Sequence, residues 1–212
     1  KFKKLKEKKF FEADSRTFGC YYSLRNDVKN HKYMPIFNKI ISKFDYFELK
    51  KICLNDPMYG ANEPAKEGKK GFDIRYIRIT DIDGLGNLID DDWKTSENFN
   101  EKYLLKDSDF LFARSGNTVG KSFIYNSQKF EKAIFAGYFI KFVLNFDYLN
   151  KDFFLFYTKS FIFDFWKNGI IRIKGQPNIN ANEYLELKIP NIPSINQQKI
   201  VDEIKSKLDK QE

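Results

Sequence analysis

The spacing of apolar residues changes period several times along this chain. From Tyr33 they fall at Tyr33, Ile36, Phe37, Ile40, Ile41 and Phe44. This i, i+3, i+4, i+7, i+8 pattern predicts an amphipathic helix of about three turns. Pro35 lies in its first turn, where a missing N–H costs nothing. Short runs rich in Ile, Phe, Val and Tyr then predict strands over residues 46–52, 74–80, 109–114, 122–126 and 133–144. Between them lie turn-forming stretches at residues 55–71, 83–87 and 115–117. The first is long for a connection inside a compact domain, a length usually kept for function or left disordered.

Residues 148–166 are strongly aromatic and predict one helix buried on most sides, a core element rather than a cofactor box. A polar loop, Gly175-Gln176-Pro177-Asn178, follows, flanked by Arg172 and Lys174. Pro190 and Pro193 end what precedes the last element, and Ser194 with Gln197 predicts a capping box. Ile200, Val201, Ile204 and Leu208 give that helix one apolar stripe. The stripe must pack on this domain or on another helix, and a coiled-coil-like partner fits it. The fold class is α+β (mixed α/β): a helix, a sheet-rich middle, and a helix that leaves the domain. No internal repeat or low-complexity block interrupts it.

The 212 residues suffice for one domain with appended helices, and 42% hydrophobic with 17% aromatic residues can bury a sizeable core. Lys and Arg number 37 against 29 acidic residues, a net charge of +8. That balance suits a polyanionic partner, because each phosphate neutralised releases condensed counterions. Residues 1–9 carry six lysines and read as a solvated end or the tail of a linker helix, with a DNA-tracking arm as the alternative. Cys20, Cys53 and the single histidine, His31, fall short of the about four ligands of a structural zinc site. The thiols read as reduced residues of a cytoplasmic protein. No apolar run approaches the roughly 18 residues of a membrane span, and no signal peptide is visible. A chain opening at Lys1 rather than Met is read as a fragment or a processed form.

Catalytic motifs are missing: there is no phosphate-binding Gly-x-x-x-x-Gly-Lys loop, no Gly-x-Gly-x-x-Gly and no Gly-x-Ser-x-Gly elbow. Asn55-Asp56-Pro57-Met58 lacks the second proline and the aromatic of a DNA methyltransferase motif. One enzymatic alternative stands: Asp164 with Glu186-Leu187-Lys188 has the Asp…Glu-x-Lys pattern of metal-dependent nucleases. Glu48-Leu49-Lys50 repeats half of it, as chance allows in a chain rich in Lys and Glu.

The most informative stretch is Phe110-Leu-Phe-Ala-Arg-Ser-Gly-Asn-Thr-Val-Gly-Lys121. It reads as a strand, a tight loop with two glycines, and a second strand. Arg114, Ser115, Asn117, Thr118 and Lys121 offer a dense set of donors to an anion such as a phosphate, while a plain hairpin closure is the alternative. The segment resembles the Leu-hydrophobic-Ala-Arg-Ser/Thr-Gly-x-x-x-Gly-Lys signature of specificity (S) subunits of type I restriction–modification systems. Other stretches follow in that family's order: Tyr21-Tyr22-Ser23, Tyr46–Ile52, Tyr59-Gly60, Tyr76–Gly84, Phe135-Ala-Gly-Tyr138, Gly175–Ile179 and Leu187–Pro190 through Gln198. The chain departs from it at Asn191-Ile192-Pro193, where the family has a Pro-x-Pro-Pro-type run.

The resemblance implies a target-recognition domain over residues 14–193, after a basic segment 1–13 and before a conserved spacer or dimerisation helix from residue 194 to 212. It further implies sequence-specific reading of one half of a bipartite duplex DNA target, with no catalytic residue, metal or cofactor. The implied partners are methyltransferase (modification) subunits, restriction subunits, and a second recognition domain or copy met through the last helix. A half-subunit, an excised piece and the specificity part of a fused restriction–methylation enzyme remain open. Direct readout pairs Arg or Lys with guanine and Asn or Gln with adenine. Base contacts are therefore expected from Tyr59, Asn62 and Lys66 and from Arg172, Gln176 and Asn178. Phosphate contacts are expected from Lys69, Lys70, Arg114, Ser115 and Lys121. Asn117, Thr118 and Lys174 complete the expected surface, with Arg78, which has Asp81 as a possible partner. A pure interaction module and an RNA-binding module are the competing readings.

Overall fold

The computed structural model describes residues 30–171 and 176–210. Its centre is a four-stranded antiparallel sheet in the order β2 (Met58–Tyr59), β9 (Phe139–Phe142), β6 (Phe110–Ala113), β7 (Ser122–Ile124). β6 reads Phe-Leu-Phe-Ala and is buried at all four positions because it is covered on both faces. Phe110 and Phe112 point into one core with Ile140 and Phe142, whereas Leu111 and Ala113 point into another with Phe123 and Phe139. This is why the segment is continuously apolar instead of alternating.

The first core is closed by helices. These are α1 (Asn30–Ile41), α2 (Lys151–Tyr157), α3 (Phe161–Ile170), the single turn α4 (Ala181–Leu185) and α5 (Ser194–Leu208). The Phe112 ring stacks on Tyr184 at 4.3 Å between centroids and on Phe163 at 5.8 Å. The second core is roofed by a parallel pair, β4 (Arg75–Ile77) and β8 (Ala133–Phe135). Two small antiparallel pairs complete the molecule: β1 (Tyr46–Glu48) with β10 (Lys188–Pro190), and β3 (Ala65–Glu67) with β5 (Lys94–Ser96). The architecture is thus the mixed α+β fold expected from the sequence.

Several local expectations need correction. The runs at 46–52 and 74–80 are strands only at their starts, and continue as 3-10 turns at Leu49–Ile52 and Ile79–Asp81. In the second, Asp81 accepts the Arg78 N–H at 2.8 Å and so bends the chain out of the sheet. The run at 133–144 is two strands, with residues 136–138 turning between them. The long 55–71 connection contains β2 and β3.

The aromatic stretch 148–166 is two helices, not one. Ser160 has an extended backbone and accepts the Phe163 N–H as the N-cap of α3, while Thr158 bonds both the Leu155 carbonyl and Ser122. Such side-chain bonds compete with helix continuation. The capping box at Ser194 and Gln197 does not form either, since Pro193 is the N-cap and makes no side-chain cap bond. Gln197 is buried instead, accepting from the Asn150 N–H at 2.7 Å and donating to the Ile192 carbonyl at 2.7 Å. A buried amide with main-chain partners on two segments holds better than a solvated cap. The stripe of α5 lies against this domain: Val201 is fully buried, and Lys205 bonds Asp152 of α2 at 2.6 Å. Among the described residues no helix is long and apolar enough to cross a membrane.

Replacing Phe112 by Ala should cost about 3–5 kcal/mol of unfolding free energy in urea. Tyr184→Phe, which removes only the hydroxyl bonded to the Ala113 carbonyl at 2.8 Å, should cost about 1 kcal/mol. Equal losses for the two would place the stability in the hydrogen bond and not in the stacked core.

Candidate nucleic-acid interface

The end of β6 gathers strands and loops from across the chain. The Arg114 N–H donates to the Tyr138 carbonyl at 2.9 Å, and its own carbonyl accepts the Ile179 N–H at 2.8 Å. Ser115 forms an isolated antiparallel bridge with Asn178, and the Gly116 N–H donates to the Pro177 carbonyl at 2.9 Å. The 176–178 loop therefore runs alongside the Arg114–Gly116 backbone as an added strand edge. Gly116 has φ of 77° and leads into the 3-10 turn Gly116–Thr118, whose Asn117 and Thr118 are exposed. Gly120 has φ of 85° and is overlain by Lys167, whose Cδ would stand 2.6 Å from a Cβ there. Both positions favour glycine on conformation, and the second also on space.

The Arg114 guanidinium lies 4.9 Å from the Tyr59 ring centroid, and its buried Nε has no hydrogen-bond partner among the described residues. The Tyr59 hydroxyl in turn accepts the Ala181 N–H at 3.3 Å. An arginine held over an aromatic face keeps its fork oriented at little entropic cost. Asn62 packs its amide on the backbone of Gly137, next to the exposed ring of Tyr138. Gln176 is exposed, with its Nε2 beside Gly116. Tyr59, Asn62, Arg114, Ser115, Gln176 and Asn178 thus collect at one end of the central sheet. Tyr138 joins them unforeseen, carried there by the β8–β9 turn that its apolar neighbours disguised as strand.

The other expected residues fall elsewhere. Lys121 extends from the far end of the same loop, and its half-buried ammonium donates to the Ile79 carbonyl at 3.1 Å. Desolvation holds its pKa below the ordinary lysine value, against the opposing pull of Asp83 and Asp81. Beside it stand two lysines that sequence reasoning missed. Lys159, between α2 and α3, donates to the Ser122 carbonyl at 3.0 Å, and Lys167 of α3 bonds Asp164 at 2.6 Å. Burial pushes the Lys159 pKa down to about 8, Asp83 resists the shift, and Lys121 and Lys167 add to it by repulsion.

A third group surrounds β3 and β5. Lys66 is exposed on β3, Lys69 lies over the Phe72 ring at 4.4 Å, and Lys70 pairs with Asp90 near Trp93. Phe72 is 79% exposed, a solvent-facing aromatic that its neighbours in the sequence did not single out. Arg78 is bound by Asp81 at 2.6 Å and by Asp92 at 2.9 Å, which raises its pKa through the Asp81 bond first. Arg172 and Lys174 lie outside the described residues, as do Cys20 and the basic segment 1–13. Cys53 is a free thiol, raised to about 11 by burial. For the nuclease alternative, Asp164 is committed to Lys167, and the Lys188 ammonium lies 4.9 Å from the Tyr46 ring. Among the described residues no three Cys, His, Asp or Glu side chains cluster to hold a metal ion.

No family model matches the chain, and no curated protein does. Among solved structures it is similar to a chain of a type I R-M system, from work on that system's complex assembly and conformational transition. That match has 14% identity and a TM-score of 0.57, covering 84% of this chain and 45% of the other. It is also similar to the HsdS subunit from Thermoanaerobacter tengcongensis, at 14% identity and a TM-score of 0.53, over 84% and 43% of the two chains. A third likeness is to the type IIG restriction endonuclease BpuSI, at 9% identity and a TM-score of 0.55, over 82% and 28%. The chain therefore has the fold of type I specificity subunits, and spans less than half the length of each of these three.

The buried lysine gives a pH signature. In the unfolded chain Lys159 keeps its proton to about pH 10.4, whereas the folded protein releases it near 8. The unfolded state then binds more protons, so unfolding free energy should rise from pH 8 until the unfolded chain's Cys53 thiol begins to ionise near pH 9, above which the raised folded-state thiol, at about 11, opposes the gain. In Lys159→Met the rise should shrink in urea titrations across that range. An unchanged slope in the variant would show that Lys159 is not the titrating group.

Proposed function

We propose that this chain is the sequence-reading module of a restriction–modification system, recognising one half of a split target in duplex DNA. The observation that carries this reading is the convergence of Tyr59, Asn62, Arg114, Ser115, Gln176 and Asn178 at one end of the sheet. Amides suited to adenine edges stand there beside an aromatic-held arginine. Arg114, with Ser115, Asn117 and Thr118 along the same loop, takes phosphates, while Asn62, Gln176 and Asn178 take base edges. Arg172 and Lys174, outside the described residues, are kept in this reading as further contacts on the strength of their place in the sequence just before Gln176. Lys66, Lys69 and Lys70 form a second contact area, and Arg78, already held by two aspartates, serves that area by fixing its frame.

In this reading the chain performs no covalent chemistry and takes no cofactor. It directs methyltransferase subunits, and restriction subunits where present, with residues 194–212 as the start of a spacer helix that meets a second recognition domain or a copy of the chain. The specificity part of a fused restriction–methylation enzyme is the second reading. The likeness to the type IIG restriction endonuclease BpuSI, in which the matched region is 28% of that chain, does not favour it over the first.

Selection from random duplex DNA, with and without a modification partner, should enrich a single half-site. Arg114→Ala should weaken binding to all sequences alike and flatten the salt dependence by about one unit. Gln176→Ala should cost about 1–3 kcal/mol at one base position and relax preference there. Failure to enrich any motif removes the reading. A loss from Gln176→Ala that is equal on every sequence removes its base-reading role.

A further inference from the structure

Three lysines from separate elements meet on the flank of the central sheet, at the far end of the loop that starts with Arg114. Lys121 enters from the start of β7, Lys159 from the α2–α3 junction and Lys167 from α3. Close approach of backbone makes room for them. Lys167 lies across Gly120, and the Lys159 ammonium would stand 3.2 Å from a Cβ on Gly86. Each ammonium has three donors, and the bonds seen here spend one apiece: on the Ile79 carbonyl, the Ser122 carbonyl and Asp164.

The carboxylates facing this cluster offset its charge only in part. Asp83 is near Lys121 and Lys159, but its oxygens already accept the Leu85 and Asn87 N–H groups at 2.8 and 2.7 Å and the Asn87 amide at 3.0 Å. Asp81, within reach of Lys121, is bound by Arg78, and Asp164 serves Lys167 alone. Elsewhere each cation is bonded to a carboxylate: Lys70 and Arg75 share Asp90, Arg78 has Asp81 and Lys94 has Glu67. Lys121 and Lys159 have carbonyls instead. Holding half-buried ammoniums together costs folding free energy that an apolar side chain would save. An anion with several oxygens would take the unspent donors and cancel the repulsion.

We propose that Lys121, Lys159 and Lys167 form a phosphate-binding cradle that grips the DNA backbone beside the base-reading loops. The phosphate's identity as a phosphodiester rests on the duplex-reading function, while anion capture by the cradle does not. Binding then stabilises the charged form of Lys159, so the complex takes up a proton above pH 8 and affinity falls as the solution becomes more alkaline.

The test follows the lysine Cε and Nζ resonances of the intact chain by NMR while pH is varied, free and with either duplex DNA or inorganic phosphate. In parallel, DNA affinity is measured against salt for Lys159→Met, Lys159→Arg, the Lys159→Met/Lys167→Met pair, and Lys207→Met as a surface control. The expected result is an upward shift of the Lys159 midpoint on adding DNA. The double variant should bind about tenfold more weakly at low salt on every sequence and lose about one unit of salt slope. Lys159→Arg should keep most of the affinity and Lys207→Met all of it. DNA binding that leaves the Lys159 midpoint and the variants' slopes unchanged overturns the cradle and spares the duplex reading. A midpoint moved by phosphate in a chain that binds no duplex overturns the duplex reading and supports the cradle. No movement with either probe overturns the cradle, whatever the variants do.

Discussion

The structure depends on how buried main-chain groups are satisfied where β6 ends. The Ala113 carbonyl takes the Gly120 N–H at 2.9 Å and the Tyr184 hydroxyl at 2.8 Å, and the next residue is bonded through its N–H to Tyr138 and through its carbonyl to Ile179. Buried backbone groups left without partners are costly, so these bonds leave little freedom to the segments that make them. Three regions of the chain are pinned to one point: the β6–β7 loop, the β8–β9 turn, and the stretch from Ile179 to Tyr184 that runs into α4. The roots of the polar loops are thereby rigid while their tips remain solvent-facing, an arrangement that lets side chains change without disturbing the core.

Much of this was legible in the residues, and the gaps have identifiable causes. The amphipathic spacing from Tyr33 to Phe44 located α1, and the continuous apolar run at Phe110–Ala113 located the central strand, because burial leaves a direct mark on pattern. Two elements are shorter than their apolar pattern predicts because a side chain captures a nearby backbone group. Asp81 on the Arg78 N–H ended β4, and Ser160 with Thr158 split the aromatic helix. Gln197 was misread for a related reason: its partners, Asn150 and Ile192, belong to a packing arrangement that no local spacing encodes. In the candidate site, the Arg114–Lys121 loop was marked by its glycines and donors. Lys159 and Lys167 were invisible, since their meeting with Lys121 depends on Gly86 and Gly120 yielding space across the tertiary fold.

Net charge proves a coarse guide to where an anion would sit. Most of the excess of eight positive charges belongs to residues 1–29 and 172–175, outside the described residues, and among the described ones the cations are unevenly compensated. Around β3 and β5 the cations are answered by Asp90, Asp92 and Glu67, so that region is close to balanced despite its lysines. Exposed pairs of this kind add little stability, but they do lower the local potential that a phosphate backbone would meet. At the lysine cluster the reverse holds, with few charges but poorly compensated ones in a partly desolvated setting. For recognition of a polyanion the second arrangement is the more effective, because Lys121 and Lys159, bonded to carbonyls, need not surrender a carboxylate first.

On the proposed reading, two kinds of contact fall on one short loop. At its start Arg114 is held by Tyr59 next to Gln176 and Asn178; at its end Lys121 stands with Lys159 and Lys167. Gly120 donates its N–H to Ala113 at 2.9 Å, so the loop closes on the strand it left, and neither end can shift without breaking that bond. Phosphate contacts set the register of a protein on a duplex, and base contacts exploit it. If both belong to this loop, register and readout are tied through a single rigid turn, and a misplaced phosphate grip would misplace the amides with it. Specificity in such a design comes from the fixed offset between the two ends and not from any one residue. The tightness of the loop, more than the number of its donors, is then what the two glycines serve.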